Sequence, residues 1–273
     1  MSGLPEDADD VCALPLVRRM AALLDRDPAG FTNGDQLPRG WHVALFNPPT
    51  RQSELRADGA AHLGITLPDL GMPRLMMAGR QMEFIGDIQI DARLLRTSRR
   101  GEVTHKVGKS GRFALVNVEH RITVAGQDTP VLIETNSYVL RETASGAPID
   151  PAVPDLIQIP PADVSRTVVP DETMLFRYSA ITDNPHRIHY DLAYAQSEGY
   201  PALVVNGTVP AMLLLEMFRT HVGGEPARWH SRNLAPILCG ETLTLTLSGE
   251  DEGWTMRAHG PSGKVALEAK VWQ

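Results

Sequence analysis

Residues 178–191, Tyr-Ser-Ala-Ile-Thr-Asp-Asn-Pro-His-Arg-Ile-His-Tyr-Asp, are the densest run in the chain of side chains that exchange protons or orient water. His186 and His189 stand three residues apart, with Asp183 and Asn184 just before them. Histidine titrates near neutral pH and serves readily as general acid or base. The i, i+3 pair also invites a metal reading, but no matching acidic or cysteine partner stands nearby, so no metal is expected. Ser53, Ser110 and Ser179 lack the Gly-x-Ser-x-Gly setting of a serine hydrolase, and no phosphate-cradling or dinucleotide motif occurs. Local structure accounts for some of the run. Asn184-Pro185 is a common turn signal, Asp191 suits a helix N-cap, and Tyr178 and Tyr190 read as packing residues. Arg96, Arg99 and Arg100 form a basic cluster whose default reading is a solvated face, with a phosphate contact as the alternative.

The run leads through Gly199-Tyr200-Pro201 and Val204-Val205-Asn206-Gly207 into a helix predicted over 208–222. Pro210 fits the first turn, Gly223-Gly224 ends it, and the apolar body from Ala211 to Leu215 should be buried. A second helix is predicted where Leu14, Val17, Ala21 and Leu24 recur before Pro28. Strands are predicted over 93–106, 113–123 and 131–140, the last two joined by an Ala-Gly-Gln-Asp turn at 125–128. Further strands are predicted over 242–247, 254–259 and 265–272. Short strands with tight turns indicate an antiparallel sheet. Six prolines within 143–170 mark that segment as an extended linker or crossover, with one short strand around 156–159. The methionine-rich stretch 72–82 reads as core packing.

The 273 residues carry 26 Lys+Arg against 33 Asp+Glu, a formal charge of −7, with 42% hydrophobic and 22% charged residues. That is a soluble globular composition. The acidic balance argues against nucleic acid, and no apolar run is long enough for a membrane helix. The acidic N-terminus does not resemble a signal peptide, and Cys12 and Cys239 read as free thiols of a reducing cytoplasm.

The order Ser-x-x-Thr-x-Asn-x-His-x-x-His-Tyr-Asp from Ser179 to Asp191, then Gly199-Tyr200-Pro201 and Val204-Val205-x-Gly207 before a helix, resembles the MaoC-like hydratase/dehydratase family. Its double-hotdog branch includes itaconyl-CoA and mesaconyl-C4-CoA hydratases and mitochondrial-type 3-hydroxyacyl-thioester dehydratases. The N-terminal half resembles that branch through Leu37-Pro38, Trp41-His42, Pro48, Gln52 to Leu55, Asp58-Gly59, Met72 to Arg80 and Lys109-Ser110-Gly111. The resemblance implies an α+β double hotdog of two curved antiparallel sheets, each around a helix. Residues 1–142 would form a dehydratase-like hotdog, 143–170 the linker, and 171–273 the hotdog that carries the catalytic motif.

The implied chemistry is reversible, R-selective hydration of an enoyl-CoA, first of all one with a short branched or dicarboxylic acyl group. His189 matches the family's catalytic histidine. Five residues earlier the common motif has aspartate, and this chain has Asn184, which orients water without exchanging a proton. Asp183 is the reserve partner of His189. Gly207 matches the glycine whose backbone N–H polarises the thioester carbonyl at a helix N-terminus. Arg80, Arg187 and Arg232 are candidates to meet a substrate carboxylate. No cofactor is implied, because coenzyme A enters as part of the substrate, and a homodimer fits the branch. Alternatives are a 3-hydroxyacyl-carrier-protein dehydratase, a thioesterase on the same fold, and an acyl-CoA-binding sensor that has lost catalysis.

Overall fold

The computed structural model describes residues 6–61, 66–67, 70–72, 74–108, 111–142 and 156–273. These residues form ten strands: β1 (Glu6–Val11), β2 (Arg74–Phe84), β3 (Arg93–Gly108), β4 (Gly111–Val124), β5 (Leu132–Arg141), β6 (Val164–Val168), β7 (Arg228–Asn233), β8 (Leu243–Glu250), β9 (Gly253–His259) and β10 (Val265–Trp272). They form one sheet in the order β1-β3-β4-β5-β2-β7-β10-β9-β8-β6, and every pairing is antiparallel. The first five strands in that order precede residue 142 and the last five follow residue 163, so the two halves meet where β2 pairs with β7. Gly79 makes the junction possible. A Cβ there would lie 2.4 Å from the Ser231 carbonyl oxygen on β7, closer than any side chain tolerates.

Among the described residues four α-helices complete the fold: α1 (Leu14–Leu23), α2 (Glu172–Ile181), α3 (Leu192–Ser197) and α4 (Thr208–His221). α4 is buried almost all round, through Val209, Pro210, Met212 to Leu215, Met217 and Phe218, and lies against β8, β9 and β10. Gly223 and Gly224, at φ 85° and 71°, end it. α1 packs on α2, and residues of both join α4 and the strands in one apolar core.

Strand alternation sets which side chains face that core. On β5 the buried positions are Leu132, Glu134, Asn136, Tyr138 and Leu140. On β4 they include Ala114, Val116, Val118, His120 and Ile122. Register then aligns Ser98 with His120 and His120 with Glu134, and sets Asn136 beside both Val118 and Arg80. The period of two thus gathers polar side chains from four neighbouring strands on one inward face.

The structure corrects one sequence expectation and gives form to two others. The strand expected around 156–159 is absent: that stretch has no regular structure and docks through the Ile157 N–H on Ser262 O (2.7 Å). Pro160 and Pro161 supply no donors, and pairing starts only at β6, between Pro161 and Pro170. The methionine-rich stretch is β2, with Met82 buried and Met76 exposed. The acidic N-terminus is the edge strand β1, whose charges blunt an otherwise open edge. The 143–155 part of the proline-rich linker and the Lys109-Ser110 turn lie outside the described residues.

Candidate active site

α2 starts at Asp171, whose side chain accepts the Met174 N–H at 2.7 Å. It stops where Asp183 adopts φ 45° and the Asn184 N–H returns to Ser179 O (2.9 Å). Asn184 Oδ1 then accepts the His186 N–H at 3.2 Å, a local turn that leads into the 3₁₀ turn Arg187–His189. Asp191 caps α3 by accepting the Tyr194 N–H at 3.0 Å. The segment is tied to the strand-like residues ahead of α4. The Val204 N–H bonds Ile188 O (3.0 Å), and Val204 O accepts from His189 Nδ1 (2.7 Å).

The bond from Nδ1 fixes the state of His189. With Nδ1–H donating to a carbonyl, Nε2 carries the lone pair. Burial drives its pKa down to about 4, against the opposing pull of the Val204 carbonyl, and neighbouring His186 lowers it further. His189 is therefore a neutral imidazole, 7% exposed, able to accept a proton at Nε2. His186 packs edge-to-face on it at 5.6 Å and faces Asp58 Oδ2 at 3.9 Å.

His189 lines a cavity of about 780 Å³ shared by both halves of the sheet. Its lining includes Asn184, Asp183, Gly207 and Arg80. Asp183 is exposed, whereas Asn184 is half-buried. At the start of α4, Asn206 Oδ1 accepts the Thr208 N–H (3.1 Å) and Asn206 O the Val209 N–H (2.9 Å). The Gly207 N–H has no acceptor among the described residues, so this helix terminus keeps a donor on the cavity lining. Gly207 has φ −59°, and a Cβ there would meet Asn233 only at ordinary contact distance, 3.4 Å. The protein itself does not require glycine at this position.

The N-terminal half contributes in two ways. Its loop around Asp58-Gly59 braces the histidine segment: Asp58 O accepts the Arg187 N–H (2.8 Å), and a Cβ on Gly59, at φ 80°, would lie 2.4 Å from Pro185 O. Its inward face supplies a buried polar cluster to the cavity lining. Arg80 Nε lies 3.0 Å from both Glu134 Oε1 and Asn136 Oδ1, His42 Nε2 lies 2.7 Å from Glu134 Oε2, and Ser98 Oγ lies 2.8 Å from His120 Nδ1. Burial raises the pKa of Glu134, but Arg80, His42 and His120 together outweigh it and hold the carboxyl well below its ordinary range. Burial also lowers His120 to about 4.

The structure does not bring two of the three candidate arginines to the cavity. Arg187 is bound to Asp191 at 2.8 Å and stacks on Tyr194, and Arg232 is exposed on β7. The position of Arg187 between His186 and His189 misleads because the segment is a tight turn, and strand alternation turns Arg232 away from Ser231 and Asn233. Arg96, expected on a solvated face, instead lines the cavity, on the same phase of β3 as buried Leu94 and Ser98. His42, His120 and Glu134 were not anticipated. For His120 and Glu134 the signal was a polar residue in the apolar phase of an alternating strand, decisive only once register is known, whereas His42 stands on the 3₁₀ turn Trp41–Ala44. Among the described residues no three His, Cys, Asp or Glu side chains converge as a metal site would need.

The family model for hydroxyacyl-thioester dehydratase type 2 matches residues 40–239. Mesaconyl-C(4)-CoA hydratase of Chloroflexus aurantiacus is 36% identical over 267 residues, covering 96% of this chain and 92% of that protein. Among solved structures, HtdX of Mycobacterium tuberculosis superposes with a TM-score of 0.70 at 18% identity, covering 98% of this chain and 99% of that one. A further M. tuberculosis protein, described as a double hotdog, superposes with a TM-score of 0.62 at 13% identity, covering 98% and 94%.

Proposed function

The chain belongs to the hydroxyacyl-thioester dehydratase type 2 family, with a double hotdog fold and the character of a hydro-lyase, and from that premise we propose its reaction: reversible, R-selective addition of water to an enoyl-CoA. The acyl group we propose is short and branched or dicarboxylic, as in the substrate for which the Chloroflexus relative is named. The observation that carries the reading is the pairing, on one cavity lining, of a neutral imidazole with a free Nε2 and a helix-terminal N–H without an acceptor.

In the proposed step the water oxygen bonds to Cβ of the enoyl group while His189 Nε2 takes a water proton. The C=C electrons move onto the thioester oxygen, where the Gly207 N–H meets the developing charge. The proton on His189 then returns to Cα and restores the neutral imidazole. A donor aimed at a developing oxyanion contributes roughly 3–4 kcal/mol, and the base roughly 10²–10⁴-fold. Asn184 Oδ1 already accepts from the His186 backbone, which leaves its amide nitrogen to donate to the attacking water. Asp183, exposed on the lining, is the reserve orienter.

In this reading coenzyme A is part of the substrate and no cofactor takes part. Residues 171–273 supply the acid/base segment, and residues 1–142 shape the acyl end of the cavity. The test follows ultraviolet absorbance of the conjugated enoyl thioester with crotonyl-CoA, itaconyl-CoA and mesaconyl-C4-CoA supplied separately. Loss of absorbance that the His189→Ala protein fails to produce supports the assignment. Binding of all three without any loss of absorbance refutes it in favour of a sensor.

A further inference from the structure

The charges on the N-terminal wall of the cavity do not cancel. Both oxygens of Glu134 are engaged, Oε1 by Arg80 and Oε2 by His42. Arg80 in turn spends its Nε on Glu134 and Asn136. Arg96 is the guanidinium left over. Among the described residues its buried Nε has no hydrogen-bond acceptor, and its one hydrogen bond there runs from Nη1 to the Phe46 carbonyl at 3.4 Å. Its guanidinium carbon lies 5.0 Å from the Phe46 ring centroid. Among the described residues no carboxylate lies within ion-pair distance of it. Asp10, the acid behind Phe46, is occupied by the Val11 and Phe46 N–H groups at 2.7 and 2.6 Å.

Burying a cation without an ion-pair partner is costly, and burial lowers the Arg96 pKa against the opposing pull of Glu134, Tyr138 and Asp10. The other arginines of the lining differ. Arg56 pairs with Asp58 at 2.9 Å, and Arg141 sits on the opposite phase of β5, over Phe113 at 5.9 Å. Two guanidinium groups and one carboxylate on the inner wall leave room for one monoanion. A planar fork of N–H donors matches a carboxylate in geometry as well as charge. A doubly charged phosphate would overshoot that balance beside Glu134.

We propose that Arg96 is the specificity-determining residue of this cavity, receiving a free carboxylate carried by the acyl group of the substrate. His120, Asn136 and Arg80 make the surrounding wall polar and disfavour acyl groups that end in plain alkyl. The proposal rests on the hydratase reading for the identity of the thioester, and it adds the residue that selects the acyl class.

The test compares binding of succinyl-CoA and butyryl-CoA, which match in length and differ in a terminal carboxylate against a methyl group. Calorimetry on the unmodified protein should find succinyl-CoA tighter by roughly 10- to 100-fold, the worth of a charge-assisted contact. Arg96→Gln should abolish that preference and Arg96→Lys should keep part of it, with folding followed by thermal melting. Equal or better binding of butyryl-CoA to the unmodified protein overturns the proposal even if neither variant folds. So does an undiminished preference in folded Arg96→Gln. Hydration assays separate the two readings. Turnover of crotonyl-CoA without a carboxylate preference sinks the role of Arg96 and leaves the hydratase standing. A carboxylate preference without hydration of any enoyl thioester upholds Arg96 and sinks the hydratase.

Discussion

Acidification should destabilise this fold well above the pH at which its carboxylates titrate. His189 and His120 are buried neutral, each lowered from 6.5 to about 4, chiefly by loss of solvation. Between those values the unfolded chain binds protons that the folded chain refuses, so stability rises with pH across the window. The contribution is complete above about pH 6.5 and is lost as pH falls toward 4. One pKa unit is worth about 1.4 kcal/mol, so by pH 5 each histidine has lost about 2 kcal/mol, and the pair about 4 kcal/mol. Burial lowers His186 too, which adds in the same direction. Glu134, whose carboxyl is held low, begins to contribute only below the ordinary glutamate range, so pH 5–7 isolates the histidines. Urea unfolding at pH 7 and pH 5 should show the midpoint falling by roughly 1 M. His189→Gln and His120→Gln should each shrink the difference between the two pH values by about 2 kcal/mol, whatever they do to stability at pH 7. An undiminished difference in both variants would refute the argument that these imidazoles are neutral because they are buried.

Three further outcomes follow from the same geometry. Because His189 is neutral down to about pH 4, kcat/KM for hydration should stay flat from pH 7 to 5, and an acid limb centred near 6.5 would contradict the assigned state. Gly207→Ala should leave the melting temperature unchanged, since its Cβ meets Asn233 at 3.4 Å, yet cost roughly 10²-fold in kcat/KM by displacing the thioester from the N–H. Gly79→Ala should do the reverse, destabilising by about 1–3 kcal/mol because its Cβ would lie 2.4 Å from Ser231 O. Thermal melting checks that loss.

The sequence makes some of this architecture readable and hides the rest for physical reasons. β4 is legible because Val116, Val118 and Ile122 keep one apolar phase, and α4 because an apolar body lies between Pro210 and two glycines. β2 and β7 are not legible: pairing on both sides buries their backbone, while Arg80, Ser231 and Asn233 put polar side chains in the inward phase and blur the alternation. α2 was submerged in the run that ends with His189, although Asp171 caps it in the ordinary way. The order from Ser179 to Gly207 pointed to His189, Asn184 and Gly207, which the fold brings to one cavity. It could not point to Arg96 or Glu134. What matters there is register across β2, β3, β4 and β5, a long-range relation that no local spacing records.

If His189 moves the proton in hydration, single-turnover kinetics will separate that role from binding. The unmodified protein and His189→Ala, each in excess over mesaconyl-C4-CoA, should bind the thioester with comparable affinity. The variant should then consume the enoyl absorbance slower by roughly 10²–10⁴-fold. Consumption at the unmodified rate by a folded His189→Ala protein would mean that another group moves the proton.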